Sequence, residues 1–476
     1  LYNVYGDRPY LNNIANFEDD NLHNFYGRSS HNNLLFYNPD RTYLPWSNAD
    51  GTLMANAIAT QAYYNPMMPE KGSLDLTRYQ ESITACWIAG ESLTNGDYTP
   101  HRDTVQGGTG DVGCESTYSY WPITYFNYNS GPVDELSSYT KVVINDSSPA
   151  SFTNPGGIVR TKEQEIQNFA NWFQYYRSRI LTSRAAIGRA FSQQSKKMRV
   201  GFATLNQRNR YDASLGYAVR KEAADLVVDG VGDNEIVVSG VRPYRDIPDG
   251  PAYKSEFFNK LYSWQVNRGS TPVIKALREV GNYFKRSDNQ GPWSATPGTP
   301  TDATQLSCRQ NYNILMTTGE STDYNWLRED HANTHNYDAT AGETITGPND
   351  QSFTYLPSVP YEDVHRDTLA DMAMHYWNSD LREDLVNNVP ANSADPAFWQ
   401  HMVNFTIGLN LTGNADPSVD PPPFPWADPY DGGMNAVDDL WHTAINSRGE
   451  YFGADDPDAF AEALDGVLST ISERTS

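Results

Sequence analysis

His331 and His335, in the segment DHANTH, stand four residues apart, the spacing that turns two imidazoles to one face of a zinc-binding helix. Ala332 fills the place where a zinc protease carries its glutamate base, and the polar neighbours read as a solvated loop. The run DGVGDNE, from Asp229 to Glu235, gathers oxygens that suit Ca²⁺, but not at the spacing of a twelve-residue calcium loop, so it reads as a turn between strands. Asp363 with Asp367, and Asp455 with Asp456, form carboxylate pairs, and acids at helix starts serve the helix dipole. No Gly-rich phosphate loop, nucleophile elbow or Ser, His and Asp order stands in the sequence, so a catalytic constellation is missing and the chain reads as non-enzymatic. Cys86 and Cys114 flank a Gly/Thr-rich loop that a disulfide closes if the protein is exported; two unrelated thiols are the alternative, and Cys308 is left odd.

These residues need elements to hold them. Tyr312 to Met316 is an apolar run too short for an ordinary helix, which predicts a buried strand of a parallel sheet. Ligands gather beyond the carboxyl ends of such strands, where Thr317, Thr318, Gly319 and Glu320 follow. Residues 1–160 read as an irregular, strand-poor, Tyr-rich segment with one strand at Tyr139–Ile144. From Thr161, a capping residue and a stripe of Phe169, Trp172, Phe173, Tyr176 and Ile180 predict one long amphipathic helix. Strands are then predicted at Met198–Leu205, Asn234–Val241 and Met402–Leu409. Helices are predicted at Ser255–Trp264, after a Thr271 cap and Pro272, at Thr368–Trp377, at Ala436–Asn446 and after Asp456 and Pro457. This alternation over 161–476 predicts an α/β fold with a doubly wound, mostly parallel sheet.

Composition bounds the function. The 476 residues carry 35 basic and 59 acidic side chains, a formal charge of -24 that repels phosphate backbones, so nucleic acid is not an expected partner. No apolar run reaches the ~20 residues of a membrane helix, and no membrane insertion is expected. The 31 Tyr and 11 Trp mark a globular chain. The rings of the first third serve either as a recognition surface or as packing of that segment, and the sequence leaves both open.

The phrases QNFANWFQYYRSRILTSRAAIGRAF, NRGSTPVIKALREVGNYF, SCRQNYNILMTTG, TLADMAMHYW, DPAFWQHMVNFTIGL and VDDLWHTAINSRGEYF, with LLFYNPDRTYLPW more loosely, resemble the N-terminal von Willebrand factor A domain of PilY-type proteins, tip-associated adhesins and assembly factors of bacterial type IV pili. The resemblance implies surface adhesion and pilus assembly, with minor pilins and a host or abiotic surface as partners, at the pilus tip outside the cell after export through the periplasm. A non-adhesive priming subunit docking on minor pilins is the alternative, and a metal-dependent enzyme a third. It also implies a first central strand upstream of Leu1 and a β-propeller-like domain beyond Ser476. In the family, a D-x-S-x-S loop, a Thr and an Asp surround one divalent cation, Mg²⁺ or Ca²⁺. Thr271 matches the Thr, whereas Thr318 stands where the Asp is usual, and Glu320 or Asp323 replaces it only if the loop bends back. The D-x-S-x-S element is absent, since Asp146, Ser147 and Ser148 read as a polar turn. One divalent cation, or none, is therefore expected.

Overall fold

The computed structural model describes residues 22–69, 72–88, 112–194, 198–207, 209–212, 217–221, 225–264, 271–317, 321, 323, 335–409, 413–414, 424–454 and 457–474. The chain divides into two compact units, Leu1–Gln193 and Gln194–Ser476, so the helical residues read from the sequence as the opening of the α/β core belong to the first unit.

In that unit the strand-poor expectation fails. Antiparallel pairs join Gln80–Ile88 to Val112–Tyr120, Thr124–Tyr128 to Tyr139–Val143, and Ser151–Thr153 to Val159–Thr161. The long helix is also two helices, Lys162–Tyr175 and Arg179–Ser192. Thr161 and Gln164 form a capping box on the first, and the Ser178 hydroxyl accepts from the Leu181 N–H to start the second. Buried Arg177 holds the break, donating to the Phe173 carbonyl at 2.8 Å with its guanidinium over the Phe173 ring.

The irregular segment survives burial because the Lys162–Tyr175 helix supplies its missing hydrogen-bond partners. Asn168 accepts from the Tyr43 N–H at 2.8 Å, Asn171 from the Ala57 N–H at 2.9 Å and Gln174 from the Tyr63 N–H at 3.0 Å. These three amides lie at three-residue steps along one helix face and act as a polar edge for the passing chain. Phe36, Tyr37, Tyr43, Trp46 and Tyr125 are all buried there, so these rings pack the segment and do not present a surface.

In the second unit the predicted strand is Tyr312–Thr317, and it pairs in parallel with Val403–Leu409, which pairs in parallel with Tyr451–Ala454. The middle strand is buried from Val403 to Gly408, as a strand covered on both faces must be. Arg199–Ala203 and Val237–Pro243 form an antiparallel pair, and among the described residues they do not join the parallel sheet. The expected parallel pairing thus holds for three strands and not for these two.

The helices are Tyr253–Ser263, Val273–Phe284, Leu369–Trp377, Met434–Asn446 and Pro457–Arg474. Val273, Ile274, Leu277 and Phe284 project from one helix onto Leu369, Ala373 and Tyr376 of another, with Leu440 and Leu315 completing the core. Each such side chain contributes on the order of 1.5–3 kcal/mol by leaving water.

Candidate functional site

The carboxyl end of the parallel sheet was the expected place for ligands. Thr318, Gly319 and Glu320 lie outside the described residues, but Asp323 does come back. Its Oδ2 accepts from the Ile274 N–H at 2.8 Å and the Lys275 N–H at 3.1 Å. The Val273–Phe284 helix has Pro272 at its N-cap with no side-chain cap bond, so its first amides need an acceptor from elsewhere. The expectation that Thr271 caps this helix is therefore corrected, since Asp323 does so from 48 residues away, where the dipole also favours an anion. Burial pushes the Asp323 carboxyl up, and the two amides pull it back.

Thr271 and Asp323 are thus brought to one helix start. One Asp323 oxygen is committed to two amides.

Other candidates resolve as structure. Asp229 pairs with Arg242 and Glu235 with Lys275, which neutralises two of the three acids of the DGVGDNE run, and Val228 and Val231 bond each other around its turn. In the Asp146 segment the Ser148 hydroxyl donates to the Val143 carbonyl at 3.0 Å, closing a polar turn. His331 lies outside the described residues, and His335 stacks on Tyr337 with ring centroids 5.0 Å apart. Asp455 and Asp456 also lie outside them. Cys308 is an exposed free thiol, while Cys86 and Cys114 stand directly opposite each other in the strand register.

Asp363 belongs elsewhere than at a helix start. Thr368 and Asp371 form the capping box of Leu369–Trp377, whereas Asp363 turns inward toward Asp338 and His442. His442 Nδ1 lies 3.5 Å from Asp363 Oδ2, and Nε2 lies 3.7 Å from Asp338 Oδ2 and 2.6 Å from the Tyr361 carbonyl. The Asp363 N–H donates to Asp338 Oδ1 at 3.1 Å, and the Asn446 amide donates to Asp338 Oδ2 at 2.9 Å. The Trp426 ring covers His442 at 4.3 Å, nearly parallel.

All three groups are buried, and the electrostatics follow. Burial pushes Asp338 up to about 7 against the pull of His442, and it pushes Asp371 up to about 8, helped by the charge of Asp338. Burial pulls His442 down, but the hydrogen bond to Asp363 and the charges of Asp338, Asp363 and Asp439 outweigh it, and the net direction is up. No local spacing announces this cluster. The one signal is VDDLWHTAIN, where His442 and Asn446 share a helix face four residues apart.

No protein-family profile matches the chain, and no solved structure matches it. Three curated relatives from Pseudomonas aeruginosa do, each described as a type IV pilus biogenesis factor PilY1. The one from strain PAK is 30% identical over 94% of this chain and 36% of its own length. The one from strain PAO1 is 33% identical over 68% of this chain and 28% of its own length, and that from strain UCBPP-PA14 is 29% identical over 94% and 36%. The chain spans about a third of the length of these relatives. An alignment that runs through nearly the whole chain at this identity places it in the family of PilY-type type IV pilus biogenesis factors.

Proposed function

We propose that this chain is the part of a pilus biogenesis factor that works at the tip of a type IV pilus, through a von Willebrand factor A-like unit that supports both assembly and surface adhesion. The observation that carries it is the match to PilY1 across 94% of the chain. A parallel sheet flanked by helices, with Asp323 folded back over the helix after Thr271, supports the von Willebrand reading. The role is non-enzymatic, minor pilins are the partners, and the site of action is outside the cell after export through the periplasm. Because Asp323 is occupied as a helix cap, recognition at this edge runs through protein surface and not through a resident Mg²⁺ or Ca²⁺. Among the described residues no helix is long and apolar enough to cross a membrane.

The test is genetic. A strain lacking the parent gene is complemented with the same gene carrying an in-frame deletion of residues 1–476, and sheared surface pili and cells retained under flow are counted. Loss of pili supports the assembly role, and retained pili with severalfold fewer attached cells supports adhesion. Wild-type values for both overturn the proposal.

Export also bears on the cysteines. Residues directly opposite in an antiparallel pair have Cα atoms about 4.5–5.5 Å apart, within the about 4.4–6.8 Å that a disulfide spans, and Cys86 and Cys114 are such a pair. We propose that they are bridged in the exported protein. Peptide mapping without reduction is expected to recover them linked, and Cys114→Ser to lower stability by roughly 3 kcal/mol. Alkylation of both thiols without reductant would show that no bridge forms.

A further inference from the structure

We propose that Asp338, Asp363 and His442 form a structural site for one borderline transition-metal dication of the zinc class, which pins the segment around Asp338 and Asp363 onto the Met434–Asn446 helix. One oxygen of each carboxylate and a ring nitrogen lie within 4.8 Å of one another, and the widest of these gaps must draw in to about 3.4 Å for one tetrahedral ion with bonds of about 2 Å.

The surroundings favour metal ligation over a simple ion pair. The Tyr361 carbonyl takes the Nε2–H of His442 at 2.6 Å, which fixes the tautomer and leaves Nδ1 turned to Asp363 Oδ2. Their separation of 3.5 Å sits at the outer limit of a hydrogen bond and close to the spacing of two ligands on one ion. Both carboxylates are oriented from behind. Asp363 Oδ1 accepts from the His365 N–H at 2.7 Å, and Asp338 Oδ1 accepts from the Asp363 N–H. This arrangement matches the outer hydrogen bonds that position metal ligands.

A second, independent observation points the same way. Asn446 is fully buried and donates through Nδ2 to Asp338 Oδ2 and to the Ala370 carbonyl, so its orientation is fixed. Its Oδ1, on the same amide, has no hydrogen-bond partner among the described residues, and a buried carbonyl oxygen left without one costs free energy. An imidazole among the ligands selects zinc-class ions over Mg²⁺, which wants oxygen throughout.

The test is zinc titration of the full chain, stripped with chelator, against a chromophoric competitor, with thermal melts at rising Zn²⁺. One Zn²⁺ per chain is expected, with a melting temperature that climbs with free zinc. His442→Gln and Asp363→Asn should abolish binding, Asn446→Ala should weaken it ~10–100-fold, and Cys308→Ser and Asp323→Ala should leave it unchanged. No zinc binding by the wild type, or binding that survives His442→Gln, overturns the proposal. If the His442 and Asp363 variants fail to fold, X-ray absorption of the wild-type zinc complex decides: a sphere of nitrogen and oxygen with one imidazole supports the site, and sulfur or a sphere of water overturns it.

Discussion

Glu165→Ala is expected to lower the stability of the Leu1–Gln193 unit by roughly 3–5 kcal/mol, the cost of leaving one member of a buried ion pair behind. Glu165 is fully buried. Its Oε1 accepts from Tyr37 at 2.7 Å and Tyr125 at 3.0 Å, and its Oε2 accepts from Arg160 Nη1 at 3.1 Å. Arg160 is itself buried and also donates to the carbonyls of Pro39 and Arg41, so the network ties the irregular segment to the Lys162–Tyr175 helix. With the carboxylate gone, the guanidinium keeps those carbonyls but loses its counter-charge, and Tyr125 loses its acceptor. Urea unfolding should show a lower midpoint with an unchanged slope. Glu165→Gln keeps the volume and one acceptor and should lose less. A loss below about 1 kcal/mol for the alanine variant would mean that the pair is solvated, as exposed pairs are.

That network also shows where sequence reading stops. The stripe of Phe169, Trp172 and Phe173 announced a helix and its buried face, and the Thr161 cap announced its start, because both signals lie within a few turns of chain. Asn168, Asn171 and Gln174 carry no such local signal, and their task appears only once Tyr43, Ala57 and Tyr63 arrive from more than a hundred residues away. The helix break after Tyr175 had only Ser178 to signal it, with neither Gly nor Pro at hand. Thr271 followed by Pro272 is a sound local start signal, and a tertiary contact from Asp323 overrode it.

The same rule separates the two parts of the second unit. Strands Tyr312–Thr317 and Val403–Leu409 were legible because each is a short, mostly apolar run between polar stretches. The cluster of Asp338, Asp363 and His442 was not, since its members come from three separate segments and each has an ordinary local explanation. Asp363 in particular, read as one of two acids at a helix start, is defined by residues that its own neighbourhood in sequence does not contain.

Gly449→Ala is expected to cost roughly 3 kcal/mol or more in the Gln194–Ser476 unit, at the upper end of overpacking effects. A Cβ on Gly449 would stand 1.9 Å from the Asn404 carbonyl oxygen and 2.7 Å from its carbon, and these are backbone atoms of the middle strand that cannot swing away. The close approach follows from how the chain returns from the Met434–Asn446 helix. The Gly449 N–H bonds to the Ala444 carbonyl at 2.8 Å, Arg448 adopts φ +64, and the Asn404 N–H donates to the Ser447 hydroxyl at 3.0 Å. The turn therefore lies directly on the strand, and the Thr406 N–H reaches the Glu450 carbonyl at 3.1 Å to begin the pairing of Tyr451–Ala454. Room for a methyl group requires this pairing to open, which removes the third strand and loosens the helix that carries His442. Hydrogen exchange should accelerate at the amides of Thr406 and of Phe452 to Ala454, together with a lower melting temperature. Gly453→Ala is the control. The nearest atom to its Cβ is the Tyr451 hydroxyl at 4.0 Å, so it should be tolerated, and equal losses from the two glycines would show that the clash with Asn404 is not the cause.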